Sequence, residues 1–89
     1  MTAALDLNDL DKLTIIDFRT GAVTTVTIRW QDSRRFITAA ENANSHADDT
    51  TLVALASIRD ASVVEVYLSA DDAESITAAA RAARPHRAL

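Results

Sequence analysis

Cysteine is absent from the chain, so disulfides, thiolate nucleophiles and cysteinyl zinc sites are excluded together, while the redox compartment stays open. Glycine occurs once, at Gly21, which rules out the glycine-rich loop that cradles phosphate in its usual form. Aromatic residues are sparse: only Phe18, Trp30, Phe36 and Tyr67. With so few large side chains and abundant alanine, any helix offers a shallow face, and packing must rest on Ile, Leu and Val. No apolar run approaches the roughly 20 residues a spanning helix needs. The start Met1-Thr2-Ala3-Ala4-Leu5-Asp6 lacks a basic segment followed by an apolar one, so no signal peptide is expected and the cytoplasm is the default location.

What remains is 89 residues, 48% of them apolar and 25% charged, a balance that suits one small globular domain. A chain of this length buries only about 60–65% of its unfolded surface, so stability is thin and a partner subunit would add to it. Arginine outnumbers lysine eight to one, which points to a GC-rich coding sequence and a bacterial source.

The net charge of −4 is unevenly spread. Residues 1–17 carry −3 and residues 19–35 carry +3, the latter from Arg19, Arg29, Arg34 and Arg35 against Asp32. Residues 41–74 carry −7, and residues 81–89 carry +3 from Arg81, Arg84 and Arg87. Zoning of this kind suits self-association between unlike zones or an anion-facing patch.

Residues 1–11 show no clear period and read as a flexible arm, residues 12–85 as one α+β domain, and residues 86–89 as a flexible tail. Leu13-Thr14-Ile15-Ile16-Asp17-Phe18-Arg19 and the alternating Val23-Thr24-Thr25-Val26-Thr27-Ile28-Arg29-Trp30 are strand-like, with Gly21 between them as the pivot of a hairpin. Val26, Ile28 and Trp30 then share one face of the second strand. Asp32-Ser33 is expected to cap a helix over 33–44, whose stripe is Phe36, Ile37, Ala40, Ala43 and Ala47. Val63–Leu68 is a further strand. A last helix over 71–84 begins with Asp71 and Glu74 in the pattern of a capping box, buries Ala73, Ile76, Ala80 and Ala83, and stops at Pro85.

Residues 51–58 are ambiguous, because Leu and Ala favour helix while a short apolar run also suits a buried strand. A 39-residue shift superposes Ile37-Thr38-Ala39-Ala40 on Ile76-Thr77-Ala78-Ala79, Asp32 on Asp71, Ala22 on Ala61 and Leu13 on Leu52. The shift favours strand there and the order ββαββα, with ββααβα as the fallback if residues 50–60 are helical. The expected architecture is a two-layer sandwich, a four-stranded mainly antiparallel sheet with both helices on one face. The open face should show Thr25, Thr27, Arg29, Glu65 and Tyr67, joined by Leu13 and Ile15 or else by Ile16 and Phe18. Ile15, Thr25, Thr27 and Tyr67 are therefore the interface candidates.

Chemistry is thinly represented. His46 with Asp48 and Asp49 forms a consecutive cluster without the convergent spacing that fixes a metal, and His86 stands alone near the end. The serines read as caps, turns and surface positions, and the paired carboxylates at Asp48-Asp49 and Asp71-Asp72 diverge. Neither catalytic residue nor cofactor nor metal is expected. The basic end around Arg81, Arg84 and Arg87 matches what a helix dipole prefers at its C-terminus, and no bulky apolar residue accompanies it for a membrane. Arg29, Trp30, Arg34 and Arg35 gather guanidiniums beside an indole, the elements of single-stranded nucleic-acid binding, against an acidic whole. The leading expectation is a small non-enzymatic interaction or regulatory protein that homodimerises through its open sheet face or an edge strand. A nucleic-acid-binding module using Arg29–Arg35 is the alternative. A small-molecule binder between helices and sheet is a third class, disfavoured by the size of the core.

Overall fold

A pair of strands joined by a tight turn, followed by a helix, is used twice. The computed structural model describes residues 9–85. Strands β1 (Leu10–Asp17) and β2 (Ala22–Arg29) lead into helix α1 (Trp30–Ala43), and β3 (Thr50–Ser57) and β4 (Ser62–Ser69) lead into α2 (Ala70–Ala82). The order is ββαββα, an α+β fold with a four-stranded antiparallel sheet arranged β2-β1-β3-β4. Residues 51–58, which composition leaves undecided, lie almost wholly in β3. Its position between β1 and β4 buries Val53 and Leu55 on one face and Ala54 on the other, and burial on both faces explains the unbroken apolar run.

The repeat has a period of 40 residues, one more than the sequence match suggests. Both strands of each hairpin, both turns and both helix starts coincide at that spacing. It aligns Arg19 with Arg59, Val23 with Val63, Val26 with Val66, Asp32 with Asp72, Ala39 with Ala79, Ala40 with Ala80 and Ala43 with Ala83. It also aligns the core: Leu13 with Val53, Ile15 with Leu55 and Ile28 with Leu68, all buried. Ile15 pairs across the sheet with its own counterpart Leu55, so a local two-fold passes between them. The 39-residue match is carried mainly by Ile37-Thr38-Ala39-Ala40 and Ile76-Thr77-Ala78-Ala79, which lie one step apart within their helices.

Burial alternates along β1, β2 and β4, and β3 is buried on both faces at its centre. Leu13, Ile15, Val26, Ile28, Val53, Leu55, Val66 and Leu68 face the helices and form the core with Phe36, Ile37, Ala40, Ala73 and Ala80. Ile15 is 2% exposed beneath the helices, which corrects its nomination as an open-face interface residue; Ile16, its neighbour of opposite phase, lies on the open side instead. Thr25, Thr27, Arg29, Glu65 and Tyr67 are exposed on that open face, as alternation requires.

Regular structure starts at Leu10 rather than Lys12, because Asp11 is pinned by hydrogen bonds to the β3–β4 turn. The rest of the expected arm, residues 1–8, and the expected tail, residues 86–89, lie outside the described residues. Trp30 opens α1 instead of closing β2, since the strand passes into the helix without a linker. The N-cap is consequently Arg29, with no side-chain bond, while Asp32 lies inside the first turn and Ser33 is buried. In α2 the cap is Ser69, whose Oγ accepts from the Asp72 amide at 3.2 Å, so Asp71 and Glu74 form no capping box. Ala47 falls beyond α1 and is exposed. Among the described residues no helix is long and apolar enough to cross a membrane.

The two hairpin turns differ at one informative position. Gly21 has φ +75°, and its counterpart Ala61 is held at φ +50°. A left-handed backbone costs an L-residue about 1–2 kcal/mol and glycine almost nothing, although glycine returns part of that as entropy of the unfolded chain. Ala61→Gly should therefore stabilise the protein by about 0.5–1 kcal/mol, read as a higher urea midpoint at unchanged slope. A lower midpoint would show that Ala61 carries no strain.

Candidate functional site

The Arg29–Arg35 segment divides when folded. Arg29 stands exposed on the open face at the end of β2, whereas Arg34 and Arg35 project from α1 on the other side of the sheet. Arg35 Nη2 pairs with Asp32 Oδ1 at 3.1 Å and lies over Phe36. Trp30 and Arg34 do come together, and two residues of the β3–β4 turn join them. The indole Nε1–H of Trp30 donates to Asp60 Oδ1 at 3.0 Å. Arg59 and Arg34 hold their guanidiniums 4.8 Å and 5.4 Å from the ring centroid. Arg34 Nη1 is also 3.5 Å from Asp60 Oδ2. The indole is thus half-buried between the helix start and the turn, with both guanidiniums on its π system and its N–H satisfied. That arrangement fastens helix to hairpin and leaves little of the ring for stacking on a base.

Beneath this cluster lies a polar network that sequence reading misses. Asp11, only 4% exposed, accepts hydrogen bonds from Ser57 Oγ at 2.7 Å and from the Arg59 amide at 2.9 Å. Ser57 Oγ in turn accepts from the Asp60 amide at 3.2 Å. Ser33 is fully buried next to it, and its Oγ forms no hydrogen bond, acting on the carboxylate only as a nearby dipole. Burial pushes the Asp11 carboxyl up. The hydroxyls of Ser33 and Ser57 and the amides of Arg59 and Lys12 outweigh it, so the group is held below the ordinary aspartate value. The signal for this site was phase: Asp11 falls two and four residues before Leu13 and Ile15, on the same strand face.

Of the remaining chemical candidates, His46 is engaged structurally. His46 packs against Tyr67 with ring centroids 5.0 Å apart, in the loop that follows α1. In the same loop Ser45 N–H donates to the Tyr67 carbonyl at 2.9 Å, and Asn44 Oδ1 accepts from the Tyr67 amide at 2.7 Å. The outer edge of β4 is closed at that point. Among the described residues no three His, Asp or Glu side chains gather as metal ligands. His86 lies outside the described residues.

On the open face, Ile16 stands between Val23 of β2 and Ala54 of β3, and Leu52 lies beside Tyr67. The large apolar side chains left exposed, Phe18, Val23, Ile58, Val63 and Tyr67, are 40% to 67% accessible. All five have the alternation phase of this face or continue it into the turns. Thr25 and Thr14 share a hydroxyl–hydroxyl hydrogen bond of 3.1 Å there. Of the interface candidates, Thr25, Thr27 and Tyr67 therefore share this surface, and Ile15 does not. No family model matches the chain, and neither a curated protein nor a solved structure does.

Proposed function

We propose that this chain is a small non-enzymatic interaction or regulatory protein that works as a homodimer joined through the open face of its sheet. One observation carries the reading: the exposed large apolar side chains are gathered in one phase on one face rather than scattered. Single exposed apolar residues are ordinary, whereas a contiguous apolar face marks an interface. The 40-residue repeat supplies the face twice over, with Phe18 matched by Ile58 and Val23 by Val63. Stacking two copies about an axis parallel to the strands sets the β2 margin of one copy over the β4 margin of the other.

Light scattering at micromolar concentration should give about twice the chain mass of 9.6 kDa. Val63→Glu, placed on the face yet largely solvated in the single chain, should weaken association more than about tenfold while leaving the fold intact. A strictly monomeric parent protein overturns the reading.

A specific contrast favours edge pairing as the second reading. Asn44 and Ser45 close β4 at Tyr67, and their counterparts at the 40-residue spacing are Arg84 and Pro85. Proline has no N–H to donate, and among the described residues nothing bonds the backbone of Thr27, the counterpart of Tyr67, from outside the sheet. Thr27→Pro would abolish a dimer built on the β2 edge, whereas Val63→Glu, on β4 at the opposite margin, would spare it.

A further inference from the structure

The repeat makes each half a reference for the other, and the two halves differ most at one place. Trp30 fills the space between the start of α1 and the β3–β4 turn. Its counterpart at the start of α2 is Ala70. Where an indole would lie in the second half there is an open groove of about 270 Å³, running between α2 and the β1–β2 hairpin. Its lining includes Asp17, Arg19, Ala70, Glu74, Thr77 and Arg81. Arg19 is the counterpart of Arg59, which lies over the Trp30 ring, and Glu74 takes the place of Arg34.

The groove keeps part of the slot's chemistry: Arg19 stands where Arg59 does, whereas Asp60 is replaced by Thr20, so the free carboxylate is Glu74 instead. The Trp30 slot offers two guanidiniums to the ring and one carboxylate to the N–H. The groove has two guanidiniums, Arg19 at the hairpin and Arg81 at its far end, where Arg81 Nη2 donates to Thr24 Oγ1 at 3.2 Å. It has two carboxylates. Asp17 is engaged with Arg19, accepting its amide at 2.9 Å and lying 4.0 Å from its guanidinium. Glu74 makes no ion pair or side-chain hydrogen bond among the described residues and is exposed. Apolar cavities of roughly 150 Å³ already accept a single aromatic ring, so a fused bicyclic ring fits the space.

We infer that this groove is a binding site for a small planar aromatic molecule of the indole class, its ring beside the Arg19 guanidinium at the Ala70 end and its N–H on the Glu74 carboxylate. The site lies on the helix side of the sheet, so it stands or falls separately from self-association through the open face.

The test is titration of the isotope-labelled full-length protein with indole, followed by amide chemical shifts. Saturable shifts centred on Arg19, Ala70, Glu74 and Thr77, with a Kd on the order of 0.1–1 mM, are expected for a ligand of this size. N-methylindole, which cannot donate, should bind about tenfold more weakly. Glu74→Ala, a surface change, should give a similar loss with the fold intact. Ala70→Trp should abolish binding by filling the groove from within. Absence of shifts at about 10 mM indole, or shifts centred on the open sheet face, would overturn the assignment. So would equal binding of indole and its N-methyl derivative, or undiminished binding by Glu74→Ala.

Discussion

Asp11→Ala should cost about 3 kcal/mol, a large share of the 5–15 kcal/mol that holds a domain of this kind together. The carboxylate is the shared acceptor for the Ser57 hydroxyl and the Arg59 amide, and it ties β1 to β3 and the β3–β4 turn. Removing it strands both donors where water has poor access, and each unmet donor costs about 1–3 kcal/mol. Thermal unfolding should shift down by roughly 12–24 °C, from the 4–8 °C per kcal/mol typical of domains this small. Asp11→Asn keeps the shape and one acceptor oxygen and should lose about a third of that. A change below about 0.5 kcal/mol in the alanine variant would show that the network adds nothing to stability.

The same group gives the protein an acid limb. Asp11 titrates lower in the folded chain than its ordinary aspartate value. A depressed carboxylate contributes stability that is complete above the unfolded-state value of about 3.9 and is lost as pH falls through the lower folded-state value. Denaturation measured from pH 6 down to pH 2 should therefore steepen in the parent below about 4, and Asp11→Asn should flatten that descent.

How far these features were legible follows from the range over which each is decided. The first hairpin was readable because Gly21 and two alternating runs are local signals. The ββαββα order was readable from the same cues, with β3 settled only by the repeat, since an apolar octet carries no period of its own. Long-range partners decided the rest. Ile15 and Ile16 are interchangeable by composition, and only the pairing of Ile15 with Leu55 beneath the helices separates them. Asp11 resembled arm residues until its phase with Leu13 is considered, and its partners are 46 and 48 positions away. Trp30 continues the alternation of β2 on paper. In the fold the chain turns helical at that residue, which swings the indole away from the core and onto the far hairpin.

Trp30 is also where the halves of the repeat part company, and Trp30→Ala should make them alike. The variant loses a half-buried ring, its contacts with two guanidiniums and a hydrogen bond to a carboxylate. Full burial would put the cost at 3–5 kcal/mol; with the ring half-buried and the Arg34–Asp60 ion pair still in place, about 3 kcal/mol is expected. Trp30→Phe keeps a ring under the guanidiniums and drops only the N–H, so it should cost about 1 kcal/mol. The alanine variant presents a groove in each half. Indole should then occupy two places per chain instead of one, and at ten times its Kd should restore about 1.4 kcal/mol of the lost stability by mass action. A cost below about 1 kcal/mol for Trp30→Ala would mean that the ring merely rests on the surface. The likeness between the filled slot and the open one would then no longer argue for a ligand.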